Sequence, residues 1–276
     1  GFTHIEANTS ISPQMLSELL KTTVHISSIH APCPAVSSSR GIPISSLSLS
    51  SLDESERTEA IIFSKKTIDL ATNVGARAIV LHMGDVPIDL SLQDKIYKLH
   101  DGGYTQAEQY SQAKEELIYQ RSTRVSPYLD VARKSLQELS KYSQQKGIML
   151  GLETRFHLNE IPNMDEMAEL LRLVGVAESL VGYWHDVGHA KVQQQLGFSL
   201  HEEWLSRFED RMIGIHLHDV LGISDHHAPG KGDINWEMVA KYIPLGIIKV
   251  CEIGEWNDEE LMQGVVDFLR QTEILG

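Results

Sequence analysis

Short apolar runs rich in β-branched residues alternate with amphipathic segments along the whole chain. The apolar runs are typical of strands and occupy 2–8, 24–32, 76–85, 147–154, 179–188, 212–220 and 245–254. The helical patterns between them occupy 12–22, 54–75, 127–147, 163–175 and 235–243, and a closing helix is predicted over 261–275. Such alternation favours parallel βαβ units with helices covering the sheet. The chain is therefore predicted to be an α/β protein.

Seven strands are one fewer than a closed (β/α)8 TIM barrel requires, and the length of 276 residues suits that fold. The first strand of the barrel is expected to precede Gly1 and to be missing from this chain. We expect residues 1–276 to form a single TIM-barrel domain. A helical insertion is predicted at about 85–126, and a Ser-rich surface loop at 34–56.

Charge and cysteine content exclude several classes of protein. Lys and Arg total 24 against 38 Asp and Glu, a formal net charge of −14. This balance repels a phosphate backbone, so nucleic acid is not expected as a partner. Two cysteines predict no disulfide framework and favour the cytoplasm. Neither a membrane-spanning apolar run nor a signal peptide is recognisable.

Polar side chains close most of the predicted strands at their C-terminal ends. In an α/β barrel these ends meet at one face, where catalytic residues lie. The second histidine of HLHD, His218, shares a strand face with His216, while His185 points to the helix side. The groups expected at this face are His30, His82, Glu153, Asp186, His189, His216, Asp225, His227 and Glu252.

Several buried carboxylates at one barrel mouth must be protonated, paired or bound to metal. Few Lys or Arg residues lie near these strand ends, whereas histidines are plentiful. Carboxylates and imidazoles together suit Zn, Mn, Fe or Co. The sequence therefore predicts a divalent metal site. Structural or surface positions are expected for the remaining histidines, His4, His25, His100, His157, His185, His201, His218 and His226.

These residues lie in motifs that resemble the xylose-isomerase-like TIM-barrel superfamily, which includes sugar isomerases, ketose 3-epimerases and the endonuclease IV (AP endonuclease family 2) proteins. The motifs are IHAP, LHMG, LET, HDVGH, HLHD, DHHAPGKGDINW and CEIG. The resemblance implies one metal bound by Glu153, Asp186, His216 and Glu252. It also implies that Glu153 and Glu252 are the catalytic acid and base, and that His189, Arg155 and Lys231 bind substrate.

The first functional hypothesis is a metal-dependent isomerase or epimerase that acts through an enediolate. Its partner would be a small carbohydrate: a sugar, a sugar phosphate or a related ketone. The alternative is a multinuclear phosphoesterase similar to endonuclease IV, acting on abasic-site DNA or a small phosphoester. That resemblance implies one to three ions, with His30, His82, His189, Asp225 and His227 as further ligands. A homo-oligomer is compatible with either hypothesis.

Overall fold

The computed structural model describes residues 2–175, 180–257 and 259–275. Seven strands form one sheet in the order β1-β2-β3-β4-β5-β6-β9, and β7 pairs with β8 in a separate two-stranded sheet. The strands are β1 His4–Ala7, β2 His25–His30, β3 Ala78–Leu81, β4 Met149–Glu153, β5 Val181–Asp186, β6 Met212–Leu217, β7 Asp219–Leu221, β8 Ser224–His227 and β9 Ile248–Cys251.

Helices follow most strands of the large sheet. They are α1 Pro13–Leu19, α2 Glu54–Val74, α3 Leu90–Asp101, α4 Glu108–Lys146, α5 Met164–Leu173, α6 Val187–Gln195, α7 His201–Phe208, α8 Trp236–Tyr242, α9 Glu259–Met262 and α10 Val265–Gln271. Local sequence sets their ends. Asp53 caps α2 by accepting from the Ser55 backbone N–H, and Gly75 ends it in the left-handed conformation at φ 76°.

Neighbouring strands run parallel and follow chain order, as β2 with β3, β3 with β4, and β4 with β5 do. Consecutive parallel strands joined by helices are the arrangement of an α/β barrel, so the predicted fold class is confirmed. The predicted strand at 179–188 begins at Ser179, which lies outside the described residues; the described strand is Val181–Asp186.

Two predicted helices differ from the structure. The predicted insertion at 85–126 contains α3 and the first half of α4, which continues to Lys146 through Pro127. A proline favours the first turn of a helix, which is why the sequence pattern starts a new helix there. The predicted closing helix at 261–275 is interrupted at Gly264, whose φ of 83° is left-handed, and α10 begins after it.

The Cα positions divide the chain into two compact units. One contains residues 1–85, 127–153 and 164–184, and the other contains 86–126, 154–163 and 185–276. The first buries Ile29, Ile68, Ile79 and Leu136, and the second buries Ile96, Leu117, Trp204 and Ile215. The single-domain assignment of 1–276 stays a prediction. Among the described helices, none has the length and apolar character needed to cross a membrane.

Candidate functional site

In the first unit, two histidines meet a buried glutamate at the ends of neighbouring strands. His30 ends β2, His82 follows β3, and Glu153 ends β4. His82 Nε2 lies 2.7 Å from Glu153 Oε2, and His30 Nε2 lies 3.7 Å from the same oxygen. Glu153 is 1% exposed. One nitrogen of each histidine and one carboxylate oxygen lie close enough together to share a metal ion.

In the second unit, a histidine joins two carboxylates. Asp186 ends β5, His216 lies on β6, and Glu252 follows β9. His216 Nδ1 lies 2.9 Å from Glu252 Oε2 and 3.4 Å from Asp186 Oδ2. Asp186 and His216 are fully buried. The structure therefore brings these three predicted ligands together.

Asp186 also forms the N-cap of α6, because its strand passes directly into that helix. Its Oδ1 accepts from the His189 backbone N–H at 2.7 Å and from His218 Nε2 at 2.9 Å. Burial alone would raise the pKa of Asp186. Interactions with the His189 and His218 rings, together with hydrogen bonds from His216 and His218, outweigh burial and lower this pKa well below its usual value. The carboxyl group is therefore held ionised, as a metal ligand requires.

A second histidine group lies beside Asp186. Nitrogens of His189, His218 and His226 lie close enough together to share an ion. Asp225 is 3.1 Å from His226 Nδ1 and 3.7 Å from His189 Nε2. Burial lowers the pKa of His226, but hydrogen bonds with Asp225 and Glu252 outweigh it and raise the pKa to about 10.

This group differs from the predicted ligand set. The sequence predicts His227 as a ligand and structural positions for His218 and His226, whereas the structure brings His218 and His226 to His189. His227 Nε2 instead lies 3.0 Å from Ser224 Oγ. The cause is local, because His226 has a left-handed φ of 58° at the end of the β7–β8 hairpin. The sequence does carry a signal for His218, because alternation along the strand puts it on the same face as His216.

The orientation of His218 follows from its contacts. Its Nδ1 accepts from the His226 backbone N–H at 2.8 Å, so the ring proton lies on Nε2 and is donated to Asp186. The ring also lies against Gly188, where a Cβ would come within 2.0 Å of His218 Cε1. A glycine is therefore needed at this point of α6.

The three predicted substrate-binding residues have different surroundings. His189 Nδ1 donates to the Thr154 carbonyl at 2.9 Å, which leaves the Nε2 lone pair on the side of Asp225. Arg155 is 6% exposed and forms an ion pair with Glu160 at 2.5 Å. Lys231 is exposed. Of these three, His189 lies beside Asp186, a candidate ligand of the second unit.

Asp219 is a buried residue that the sequence reasoning does not single out. Its Oδ1 accepts from the Val220 and Ile234 backbone N–H groups, both at 3.0 Å. Its Oδ2 accepts from the Gly230 N–H at 2.8 Å and from Trp236 Nε1 at 3.1 Å. The signal for it is the Asp that ends HLHD before the glycine-rich GKGDINW string. It holds the segment that carries Asp225, His226 and Lys231.

Family comparison agrees with the strand order and the motifs. A model described as the xylose isomerase-like TIM barrel matches residues 1–272. The chain belongs to this family. The predicted family resemblance and the TIM-barrel fold are both confirmed.

Solved structures of sugar epimerases share this fold. A D-tagatose 3-epimerase-like protein superposes with a TM-score of 0.68 at 20% identity, over 99% of this chain and 88% of that one. D-psicose 3-epimerase with D-tagatose from Clostridium cellulolyticum H10 has a TM-score of 0.66 at 16% identity, over 99% and 90% of the two chains. A 3-keto-D-glucoside 4-epimerase from E. coli has a TM-score of 0.60 at 11% identity, over 94% and 83%.

Among curated sequences, an uncharacterized protein, y4fM, of Sinorhizobium fredii (strain NBRC 101917 / NGR234) is 24% identical over 189 residues, 68% of this chain. The chain spans about half the length of that relative, of which the match covers 50%.

Proposed function

We propose that the protein is a divalent-metal-dependent isomerase or epimerase of a small sugar, sugar phosphate or related ketone. The observation that carries this proposal is the grouping of Asp186, His216 and Glu252 at three strand ends. Sugar epimerases with the same fold support it. A carbohydrate partner, the absence of a nucleic-acid partner, a cytoplasmic location and self-association are parts of the same proposal.

The donor set fits a divalent ion. Asp186 is buried and ionised, and among the described residues its ion-pair partners are imidazoles rather than Lys or Arg. We propose that Glu153, which ends β4, is the fourth ligand beside Asp186, His216 and Glu252, as the family resemblance implies. Oxygen and nitrogen donors in this ratio suit Zn, Mn, Fe or Co. A bound ion would polarise a substrate carbonyl and acidify the neighbouring C–H bond.

The two glutamates would move the proton. Glu153 ends β4 and Glu252 follows β9, and in this proposal each serves one face of a planar enediolate. One would remove the proton and the other would return it. His189 is held by its Nδ1–H···O bond to Thr154, so its Nε2 would accept a hydrogen bond from a substrate hydroxyl. Its geometry is thus suited to orienting substrate.

Metal removal and restoration test this proposal. The protein is treated with chelator, reloaded separately with Mn²⁺, Co²⁺ or Zn²⁺, and assayed by chromatography against a panel of ketoses and ketose phosphates. We expect interconversion of at least one substrate with its epimer or isomer after reloading, and none before it. Asp186→Asn is the matched variant, since it keeps the shape of the side chain and removes the ligand charge. No interconversion with any reloaded metal would contradict the proposal.

The alternative is a multinuclear phosphoesterase. The grouping of His30, His82 and Glu153 in one unit, and of His189 and His226 around Asp225 in the other, favours it. Metal analysis separates the two functions: about one ion per chain supports the isomerase, and about three support the phosphoesterase. Cleavage of an abasic-site duplex or of a small phosphodiester by the fully loaded protein would establish the second function.

A further inference from the structure

A polar cluster joins the helical insertion to the loop after β4. Helix α3 supplies Gln93 and Tyr97, and the loop supplies Phe156 and His157. Tyr97 Oη lies 2.8 Å and Gln93 Nε2 lies 3.0 Å from His157 Nδ1. Gln93 is 7% exposed, which is unusual for a glutamine. These four residues, called the Tyr97 cluster below, all belong to the second unit.

The hydrogen bonds assign the proton on His157. An amide nitrogen can only donate, so His157 Nδ1 accepts from Gln93 and carries no proton. Burial lowers the pKa of His157 and, with the positive charge on Arg155, outweighs the opposing effect of the Glu160 carboxylate. Burial likewise raises the pKa of Tyr97, so its hydroxyl stays protonated. The ring of His157 is therefore neutral and presents an N–H donor at Nε2.

Aromatic contacts connect the Tyr97 cluster to His189. The Phe156 ring meets the His189 ring edge-on, with centroids 5.7 Å apart. Phe156 also contacts Tyr97 at 6.2 Å and His157 at 4.7 Å. The cluster thus lies one ring beyond the histidine that the proposed function assigns to substrate binding. A substrate that reaches from His189 past Phe156 would meet His157 and Tyr97.

One buried polar atom of the cluster lacks a partner. Gln93 Oε1 is inaccessible to solvent and has no hydrogen bond among the described residues. An unsatisfied buried carbonyl is costly, and such atoms are rare in folded proteins. The cluster therefore offers an acceptor at Gln93 Oε1 and a donor at His157 Nε2. A hydroxyl group both donates and accepts, so it matches this pair of polar atoms.

The cluster has no free positive charge to offer a phosphate. Arg155, the guanidinium nearest in sequence, forms its ion pair with Glu160 at 2.5 Å. Glu160 also accepts from the His157 backbone N–H at 2.8 Å. The groups that remain, an amide, a phenol and a neutral imidazole, bind uncharged oxygen atoms.

We propose that the Tyr97 cluster is the subsite for an uncharged, hydroxyl-bearing end of the substrate. The substrate is accordingly a free sugar rather than a sugar phosphate. This inference rests on the proposed function, because it places the remainder of the same substrate at His189. Gln93 and His157 are the residues that contact substrate, and Tyr97 acts as a positioning residue through its hydrogen bond to His157.

Binding by the metal-loaded protein tests the subsite independently of turnover. The probes are D-tagatose, D-psicose and D-fructose, each compared with its phosphate ester by calorimetric titration. We expect at least one free ketose to bind more tightly than its ester. Tyr97→Phe removes the hydrogen bond that orients His157, so it should weaken that binding roughly tenfold. Tyr104→Phe is the matched control, since Tyr104 is 61% exposed just beyond α3 and should change nothing.

A second pair of variants separates contact from folding. His157→Gln keeps an N–H donor near the Nε2 position, and His157→Asn keeps one only near Nδ1. We expect the Gln variant to retain most of the binding and the Asn variant to lose at least about tenfold, with equal thermal stability. Tighter binding of the phosphate esters, no binding of any free ketose, or unchanged affinity in both Tyr97→Phe and His157→Asn would overturn the proposal.

Turnover of the same samples distinguishes the two proposals. Cluster-dependent binding of a free ketose without its interconversion would contradict the isomerase function and leave the subsite in place. Interconversion with an affinity that the cluster variants do not alter would contradict the subsite and leave the isomerase function in place.

Discussion

Asp186 is both the N-cap of a helix and a candidate metal ligand. It caps the N-terminus of α6 through the His189 backbone N–H, and it lies 3.4 Å from His216 Nδ1. The positive end of the helix dipole favours a carboxylate at this position. His218 donates to the same carboxylate at 2.9 Å. The first turn of α6 therefore both orients Asp186 and keeps it ionised.

Gly188 is the residue whose substitution tests this arrangement. A methyl group there would overlap the ring of His218, which is fully buried and is hydrogen-bonded to Asp186 and to the His226 backbone N–H. Gly188→Ala should lower the free energy of unfolding by about 1–3 kcal/mol, as overpacking does. Urea denaturation measures it, with Lys191→Ala on the same helix as the control. Unchanged stability in Gly188→Ala would show that His218 is not confined as described.

At the scale of single residues, the sequence predicts the positions of side chains at strand ends better than the positions of side chains in the β7–β8 hairpin. Glu153, Asp186 and His216 were expected at strand ends and lie there. His226 was not expected in the group with His189, because the left-handed backbone of that residue has no signature in an HH pair. The sequence predicts which residues lie at the end of a strand, but it does not predict the direction of a side chain after a tight turn.

At the scale of elements, the segment 219–236 shows how a loop is made rigid. Asp219 receives four hydrogen bonds from three backbone N–H groups and an indole. Gly232 passes so close that a Cβ would lie 2.3 Å from the Val220 carbonyl oxygen. One buried carboxylate therefore fixes both ends of the segment that carries His226 and Lys231.

Asp219→Asn tests this role. The amide matches the carboxylate in shape, but its NH₂ group would face N–H donors and leave two of them unpaired. We expect a loss of about 3 kcal/mol in the free energy of unfolding. Asp233→Asn is the control, because Asp233 is exposed and its side chain accepts one hydrogen bond from the described residues, from the Gly222 N–H at 3.2 Å. Equal losses in the two variants would contradict the special role of Asp219.

Element type was predictable from sequence where apolar periodicity was long. All seven strands of the large sheet fall within the predicted runs, because buried parallel strands are continuously apolar. Boundaries failed at Pro127 and Gly264. Helix α4 continues through the proline, and the glycine interrupts a predicted helix. A proline or glycine makes a helix boundary more frequent at its position but does not fix one there, since tertiary packing determines whether the helix continues.

At the scale of the whole molecule, a net charge of −14 and thirteen histidines make the free energy of unfolding depend on pH. His185 and His201 form a buried stacked pair with their Nε2 atoms 3.0 Å apart. Burial lowers the pKa of His201 to about 3 and lowers that of His185 well below its usual value. Both rings are thus neutral in the folded protein. Unfolding lets them bind protons once the pH falls below about 6.5.

Stability should therefore fall with pH over this range, because the unfolded chain takes up protons that the folded chain does not. His201 alone contributes a loss of about 2 kcal/mol between pH 7.5 and pH 5. His201→Gln keeps a polar side chain beside His185 and should reduce this pH dependence by that amount. Urea denaturation of both proteins at the two pH values measures it. The same pH dependence in both would show that His201 does not titrate on unfolding.

Solvent deuterium exchange tests the central claim most directly. The metal-loaded protein is incubated with a free ketose in deuterated water, and incorporation next to the carbonyl carbon is followed by NMR. If Glu153 and Glu252 transfer a proton at that carbon, deuterium enters with wild-type protein. In Glu252→Gln the rate should fall at least roughly a hundredfold, while the bound metal is measured in parallel. Incorporation at the wild-type rate in Glu252→Gln, or none in any metal-loaded sample, would contradict the account.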